Sequence, residues 1–470
     1  MDKLKAGLEV HQQLDTGKLF CRCKSILRND EPMIVLKRRM SLVAGETEDI
    51  DEAAKHEVAK GLEYVYEAYD TNCLVELDEE PPHEIDSEAL KISIQVCLLL
   101  NCSIFPVTQV MRKIVVDGSN TSGFQRTVLI GHDGFIETSG GRVGIETVAL
   151  EEDSARKIRS EGGKVVYRLD RLGIPLVEIT TKPDLKSPEQ IKEAALKIGE
   201  ILRSCQVRRG IGTIRQDLNI SVSGGKRVEI KGFQDPRTMI RVVQNEVMRQ
   251  KECIRKGVCK SEVRRALPDG ITEFLRPMPG ASRMYPETDL PLLKIPKKII
   301  DLAKKTLPKL MSEHKAYLRE FGLNDELIRL VLKDKKLEEF KTLTKVMDNY
   351  SLIAKSLTIF PRELSRKTGK SMEETERALN VHVLERVLEE VGRNISPNDV
   401  KNVLEKILRG QSVEKSLEKS DVNFKEEIRK ILKEKPGLSK GAYMGLLMSK
   451  FRGVVSGKEI SDELDKHLLK

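Results

Sequence analysis

The sequence predicts an α+β chain with a largely antiparallel sheet in its N-terminal part and helices in its C-terminal part. Up to about Pro296, short alternating apolar runs are separated by Gly-containing turns such as Asp133-Gly134, Gly140-Gly141 and Gly224-Gly225. Helical stretches interrupt them without a regular strand–helix beat, which is the α+β pattern. Beyond Pro296 the apolar spacing becomes helical and stays so. With 470 residues, 39% of them apolar, several cores are expected.

Taken in order, Lys5-Ala6-Gly7-Leu8-Glu9-Val10-His11-Gln12-Gln13-Leu14 reads as a strand. Alternation puts Glu9, His11 and Gln13 on one face and Leu8 and Val10 on the other. Helices are expected over 50–69, 88–101, 188–203 and 236–251; Ser187 followed by Pro188 is a strong start signal for the third. Glu151-Glu152-Asp153 directly follows the apolar Val148-Ala149-Leu150, and Glu178 sits mid-strand in Leu176-Val177-Glu178-Ile179-Thr180. Arg215, Asp217, Asn219 and Ser221 alternate with apolar residues, and Glu229 is central in Val228-Glu229-Ile230. Helices over 299–307, 325–337, 340–357, 372–391 and 397–408 then form a helical domain. A charged linker from Gln411 leads to helices over 424–433 and 439–451. The expected domains are therefore 1–296, 297–410 and 411–470.

Composition excludes several classes. Eight cysteines in so long a chain argue against a disulfide framework. No apolar run reaches transmembrane length, and Met1-Asp2-Lys3-Leu4-Lys5 carries no signal-peptide pattern, so the cytoplasm is expected. Lys and Arg number 82 against 73 acids, a net charge of +9, so a nucleic-acid surface has to be local. The best local feature is in 436–458, where Lys440, Lys450, Arg452 and Lys458 precede any acid, with Gly441 and Gly445 one helical turn apart. Phosphate contact by such a helix competes with ordinary packing through its small residues.

No Walker-type phosphate loop and no strand-following G-x-G-x-x-G occurs, so a nucleotide would be held another way. Acids recurring at mid-strand would repel one another in one sheet unless cations sat between them, and an oxygen-rich site of that kind suits Mg²⁺. Cys21-Arg22-Cys23 with Cys73 could hold zinc with His56 or His83 as fourth ligand, or pack as small buried hydrophobes.

These motifs, in this order, resemble the GatB/GatE family of tRNA-dependent amidotransferase subunits. They are 7–14, Leu150-Glu151-Glu152-Asp153, 173–179, 215–221 and Val228-Glu229-Ile230-Lys231. His11-Gln12-Gln13-Leu14, 74–83, 117–127 and 276–289 are similar to the archaeal E branch, and Gly441-Ala442-Tyr443-Met444-Gly445 to the family's C-terminal module. The resemblance implies a glutamine-synthetase-like catalytic domain and ATP-dependent conversion of mischarged Glu-tRNA(Gln) to Gln-tRNA(Gln). It implies phosphorylation of the glutamate γ-carboxylate, with ammonia supplied by an asparaginase-like D-type partner in a heterotetramer. Glu9, His11, Glu151, Glu152, Glu178 and Glu229 are then the candidates for catalysis and Mg²⁺, with Arg215, Asp217 and Asn219 orienting phosphate or metal. Lys440, Lys450, Arg452 and Lys458 would meet tRNA. One departure stands out. The E branch carries an insertion resembling part of aspartyl-tRNA synthetases upstream of Arg264-Arg265-Ala266-Leu267-Pro268-Asp269-Gly270, and only a short basic link, 250–264, is present here. Two other readings compete: a non-catalytic tRNA-binding module with structural acids, and a bacterial B-type amidotransferase component working with an amidase-like partner.

Overall fold

The computed structural model describes residues 4–39, 59–115, 117–278, 284–418, 424–450 and 457–468. It divides into two compact units, Met1–Leu310 and Met311–Lys470.

The first unit is α+β, as the periodicity predicts. Among the described residues its main sheet has eleven strands and places Lys5–Gln13 near the middle. To one side lie Pro175–Thr181, Gly141–Glu152, Phe124–Thr138, Val110–Ile114 and Met284–Pro286; to the other lie Ile214–Ser221, Val228–Lys231, Glu262–Ala266 and Thr272–Pro277. Every pairing along this path is antiparallel except that of Val228–Lys231 with Glu262–Ala266. The strand Phe124–Thr138 runs through Asp133-Gly134, expected as a turn; Asp133 takes a positive φ of 49°, yet His132 and Gly134 on either side of it stay paired with Thr147 and Ile145, and the register shift lies earlier, between Leu129 and Gly131.

Leu8, Val10, Val177, Ile179, Leu218, Ile220 and Ile230 point to one side and are buried against the helices Ser87–Leu99, Pro188–Ser204 and Met239–Arg255. The first two helices begin where side chains satisfy their free N–H groups. Asp86 accepts from the Ala89 N–H, and Ser187 accepts from the Gln190 N–H just before Pro188. The helix Lys297–Lys305, grouped by sequence with the helical region, packs here through Ala303, Ile299 and Ile300. With the helices on one face, the opposite face is left for the polar set.

A second sheet, ordered Ile34–Arg38, Glu63–Ala68, Lys164–Arg168 and Arg156–Glu161, replaces the helix expected over 50–69. Residues 50–58 lie outside the described residues. In Glu63-Tyr64-Val65-Tyr66-Glu67-Ala68 the aromatic and β-branched side chains favour a strand, and Tyr64 and Tyr66 bury beside Tyr167. Gly118, at φ 77°, lies so close to Tyr64 that a Cβ would sit 2.2 Å from its ring. The Tyr66 hydroxyl donates to the Gly118 carbonyl at 2.8 Å. The start of the polar loop expected over 117–127 is thus docked against this sheet, while 124–127 belong to the strand Phe124–Thr138.

The second unit is helical. Helices from Met311–Glu320 to Val413–Leu417 share one core, and Phe424–Glu434, Lys440–Lys450 and Gly457–Leu468 share another around Ile428, Tyr443, Leu447, Ile460 and Leu464. Two expected helices are broken by asparagine caps. Asn349 starts Tyr350–Thr368 by accepting from Leu352 N–H, and Asn380 starts Val381–Glu389 by accepting from His382 and Val383 N–H.

Candidate functional site

The polar face of the main sheet gathers the predicted acids through register. His11 lies opposite Glu178 on one neighbouring strand and Arg215 on the other, and Glu9 lies opposite Asp217. Glu178 pairs with Ala149, so Glu151, two residues further along, shares its face. The distances follow. His11 Nε2 is 3.2 Å from Glu178 Oε2, 3.5 Å from Glu9 Oε1 and 3.7 Å from Glu151 Oε1. One donor atom from each of Glu9, His11 and Glu178 can be chosen so that all lie within 4.8 Å of one another.

Such crowding divides the protons unevenly. Burial works to lower the His11 pKa, yet the hydrogen bond to Glu178 and the charges of Glu178, Glu151 and Glu9 raise it to about 9. Glu178 is held down to about 2: burial opposes, but the His11 hydrogen bond and the Lys113 charge prevail. Glu151 goes the other way, raised to about 7 by burial and by Glu178. Burial and Glu178 also raise Glu9. Among the described residues Glu151 Oε2 is buried with no hydrogen-bond partner, and its ion-pair partner is Lys113 Nζ at 3.8 Å. An orphaned buried oxygen beside an imidazole and two further carboxylates fits a divalent cation in chemistry and in spacing.

The other candidates are placed around this group. Glu152, one residue past Glu151, turns away from it: its Oε2 accepts from the Arg126 backbone N–H, and Oε1 lies 3.4 Å from Arg126 Nη1. Arg126 also donates to Glu287 at 2.8 Å. Glu229 and Asp217 form an adjacent pair closed by Lys231, and Asn219 lies opposite Glu229. Arg215 donates to Asp153 at 2.8 Å, and Asp153 also accepts from Gln13 at 2.6 Å.

Sequence reasoning missed the cations of this face, Lys113 and Lys231. The signal was available, since Lys231 follows Glu229 by two residues and alternation gives both one face. Asp153 and Gln13 were named but given no role.

The cysteine set is also brought together. Cys21, Cys23 and Cys73 have donor atoms within 4.8 Å of one another and of a carboxylate oxygen of Glu76. The fourth member is thus Glu76, reached by the Cys73-x-x-Glu76 spacing. His83 instead faces Glu80 at 3.2 Å, and His56 lies outside the described residues. Three thiols and a carboxylate suit zinc. Glu76 already has partners, however: Lys18 Nζ lies 3.0 Å and Cys21 Sγ 2.9 Å from its Oε1, and the Cys73 N–H donates to Oε2. Burial and the Glu76 charge push the Cys73 thiol up to about 12 and Cys21 well above the usual range.

In the tail, Lys440 pairs with Asp465 at 2.6 Å and Lys450 with Glu427. The stretch free of acids in sequence is therefore supplied with acids from neighbouring helices. Arg452 and the Lys458 side chain lie outside the described residues. A Cβ built on Gly441 or Gly445 would meet nothing within 4 Å, so these glycines do not serve helix packing among the described residues.

A family model described as the GatB/GatE catalytic domain matches residues 4–301. The whole chain is similar to proteins named as the E subunit of glutamyl-tRNA(Gln) amidotransferase. The one from Methanocaldococcus jannaschii is 36% identical, with 99% of this chain and 98% of the relative covered. That from Methanothermobacter thermautotrophicus is 35% identical over 83% and 86%. That from Sulfurisphaera tokodaii is 33% identical over 99% and 98%. The first alignment extends over 627 positions against 470 residues here, so at least 157 positions of that relative have no counterpart in this chain. No helix among the described residues is long and apolar enough to cross a membrane.

Proposed function

The chain belongs to the GatB/GatE amidotransferase family, and from that premise we propose that it converts mischarged Glu-tRNA(Gln) to Gln-tRNA(Gln) at the polar face of its main sheet. It acts as the kinase and transamidase subunit. The observation that carries this is the convergence of Glu9, His11, Glu151 and Glu178, from three strands far apart in sequence, on one face.

The reaction has two steps. The glutamate γ-carboxylate attacks the terminal phosphorus of ATP and releases ADP; ammonia then attacks the acyl phosphate, loses a proton and releases phosphate. The substrate brings its own nucleophile, so the protein's work is alignment and charge neutralisation. Glu9, His11 and Glu178 are the residues that would hold Mg²⁺, which when bound screens phosphate charge. Lys113, at the rim of the acids, adds a fixed positive charge for phosphate oxygens. Asp153 ties Arg215 and Gln13 into the border of the site and restricts their motion. A sheet of acids replaces the missing phosphate loop, as in a glutamine-synthetase-like domain.

Ammonia comes from an asparaginase-like D-type partner, in a heteromeric complex in the cytoplasm. The tail, 411–470, binds tRNA: surface ion pairs such as Lys440–Asp465 are weak and exchange for phosphate, and the open glycine face admits a backbone. Zinc at Cys21, Cys23, Cys73 and Glu76 would tie the loop after the first strand to 73–76.

Glu178→Gln tests the reading by removing charge while keeping shape. Assayed in complex with the ammonia-supplying partner, it should lose ATP-dependent formation of Gln-tRNA(Gln) and keep tRNA affinity. Unaltered turnover would return the acids to a structural role and favour a binding module.

A further inference from the structure

Beside the Glu9–His11–Glu178 group, the strands Ile214–Ser221 and Val228–Lys231 bring two more acids to the same face. Asp217 lies opposite Glu9, and Glu229 lies on the next strand out, opposite Asn219. Two carboxylates so placed beside a metal-binding group invite a second divalent ion. The structure fills the place instead. Lys231 Nζ is 2.8 Å from Asp217 Oδ2 and 2.6 Å from Glu229 Oε1. Both contacts are short enough to be charge-assisted hydrogen bonds.

The arrangement is built into the strand. Glu229 and Lys231 are two residues apart, so the pleat sends both side chains to one face, and the pairing of Leu218 with Ile230 sets Asp217 beside Lys231. Lys113 differs. It stands 3.5 Å from Glu178 and 3.8 Å from Glu151, close enough to offset charge without bridging the pair at short range.

We infer that Lys231 is a built-in cation that fills the Asp217–Glu229 pair, so that the nucleotide-free chain takes one divalent ion, at Glu9, His11 and Glu178, and not two. This rests on the proposed reading of that trio as the metal site. It removes Glu229 from the metal ligands and gives it, with Asp217, the role of holding a lysine beside the reacting groups. A divalent ion entering that pair would have to expel an ammonium already bonded to both carboxylates.

The test is a count of Mn²⁺ bound per full-length chain, by electron paramagnetic resonance, with the cysteine cluster first loaded with zinc. Wild type should bind one ion, Glu9→Gln none, Glu229→Gln one, and Lys231→Met two, because removing the ammonium opens the pair. Lys231→Met staying at one, or wild type binding two, overturns the lysine inference and leaves the trio intact. Wild type binding none overturns the trio, and this inference with it. Should Lys231→Met fold poorly alone, its melting temperature against Mg²⁺ is read instead. A rise clearly larger than that of wild type supports the inference, and an equal rise overturns it.

Discussion

Raising the pH from about 7 to about 9 should tighten divalent-cation binding at Glu9, His11 and Glu178 about fiftyfold. The reason lies in the proton on His11. In the metal-free site burial lowers the His11 pKa, but Glu178, Glu151 and Glu9 outweigh it and raise it to about 9. A metal needs the neutral imidazole. At pH 7 about one molecule in a hundred has it, so binding must expel a proton at a cost of about 3 kcal/mol. Each pH unit up to about 9 removes roughly a tenfold penalty, after which the curve flattens. Glu151, at about 7, steepens the slope below neutrality. Calorimetry at pH 7 in two buffers of different ionisation enthalpy should detect about one proton released per ion. His11→Asn keeps a neutral oxygen ligand and should flatten the slope between pH 7 and 9. A wild-type affinity independent of pH, or a break near the ordinary imidazole value of about 6.5, would refute this reasoning. The same shift has a sign for stability. The folded His11 pKa lies above the unfolded one, so its stabilisation of the metal-free chain is complete below about pH 6.5 and lost as pH rises through about 9.

Three other outcomes are expected. Arg126→Met leaves Glu152 without its guanidinium and Glu287 with only Arg112 and the Asp289 N–H, both carboxylates buried; urea denaturation should show a loss of about 3–5 kcal/mol, and a loss under about 1 kcal/mol would contradict the pairing. If Cys21, Cys23, Cys73 and Glu76 hold zinc, elemental analysis should find one ion per chain, and a chelator should lower the melting temperature more in wild type than in Cys23→Ser; protein that never carries zinc would mean that Glu76 is satisfied by Lys18, Cys21 and the Cys73 N–H without a metal. Gly441→Ala should stabilise its exposed helix by up to about 1 kcal/mol yet weaken tRNA binding, whereas Lys450→Ala with Arg452→Ala should flatten the salt dependence of that binding; unchanged affinity and slope would remove the tail from the tRNA surface.

Much of the site was legible because a strand's alternation is visible in sequence. Glu9 with His11, and Glu178 between Val177 and Ile179, could be assigned to polar faces before any partner strand was known. What alternation cannot supply is register, which alone sets His11 against Glu178 and Asp217 against Glu9. Glu152 was brought in by the resemblance of the motif and against alternation: consecutive strand residues face apart, and only Glu151 joins the cluster. The lysines were overlooked because a site was sought by its acids, although a face of acids needs cations of its own. Glu76 escaped because the search for a fourth zinc ligand was confined to histidine. A helix was expected over 50–69, while burial of Tyr64 and Tyr66 against Tyr167 made 63–68 a strand. In the helical unit the faces were right and the breaks were missed, because an asparagine in a polar stretch reveals its capping role only when its side chain meets the following N–H groups.

Whether Glu9, His11 and Glu178 meet around a divalent ion can be seen by anomalous diffraction from crystals grown with Mn²⁺ and a non-hydrolysable ATP analogue. A manganese peak is expected within coordinating distance of all three side chains, with phosphate oxygens completing its shell. Manganese found elsewhere on the chain, with these side chains still bonded only to one another, would contradict the proposed metal site.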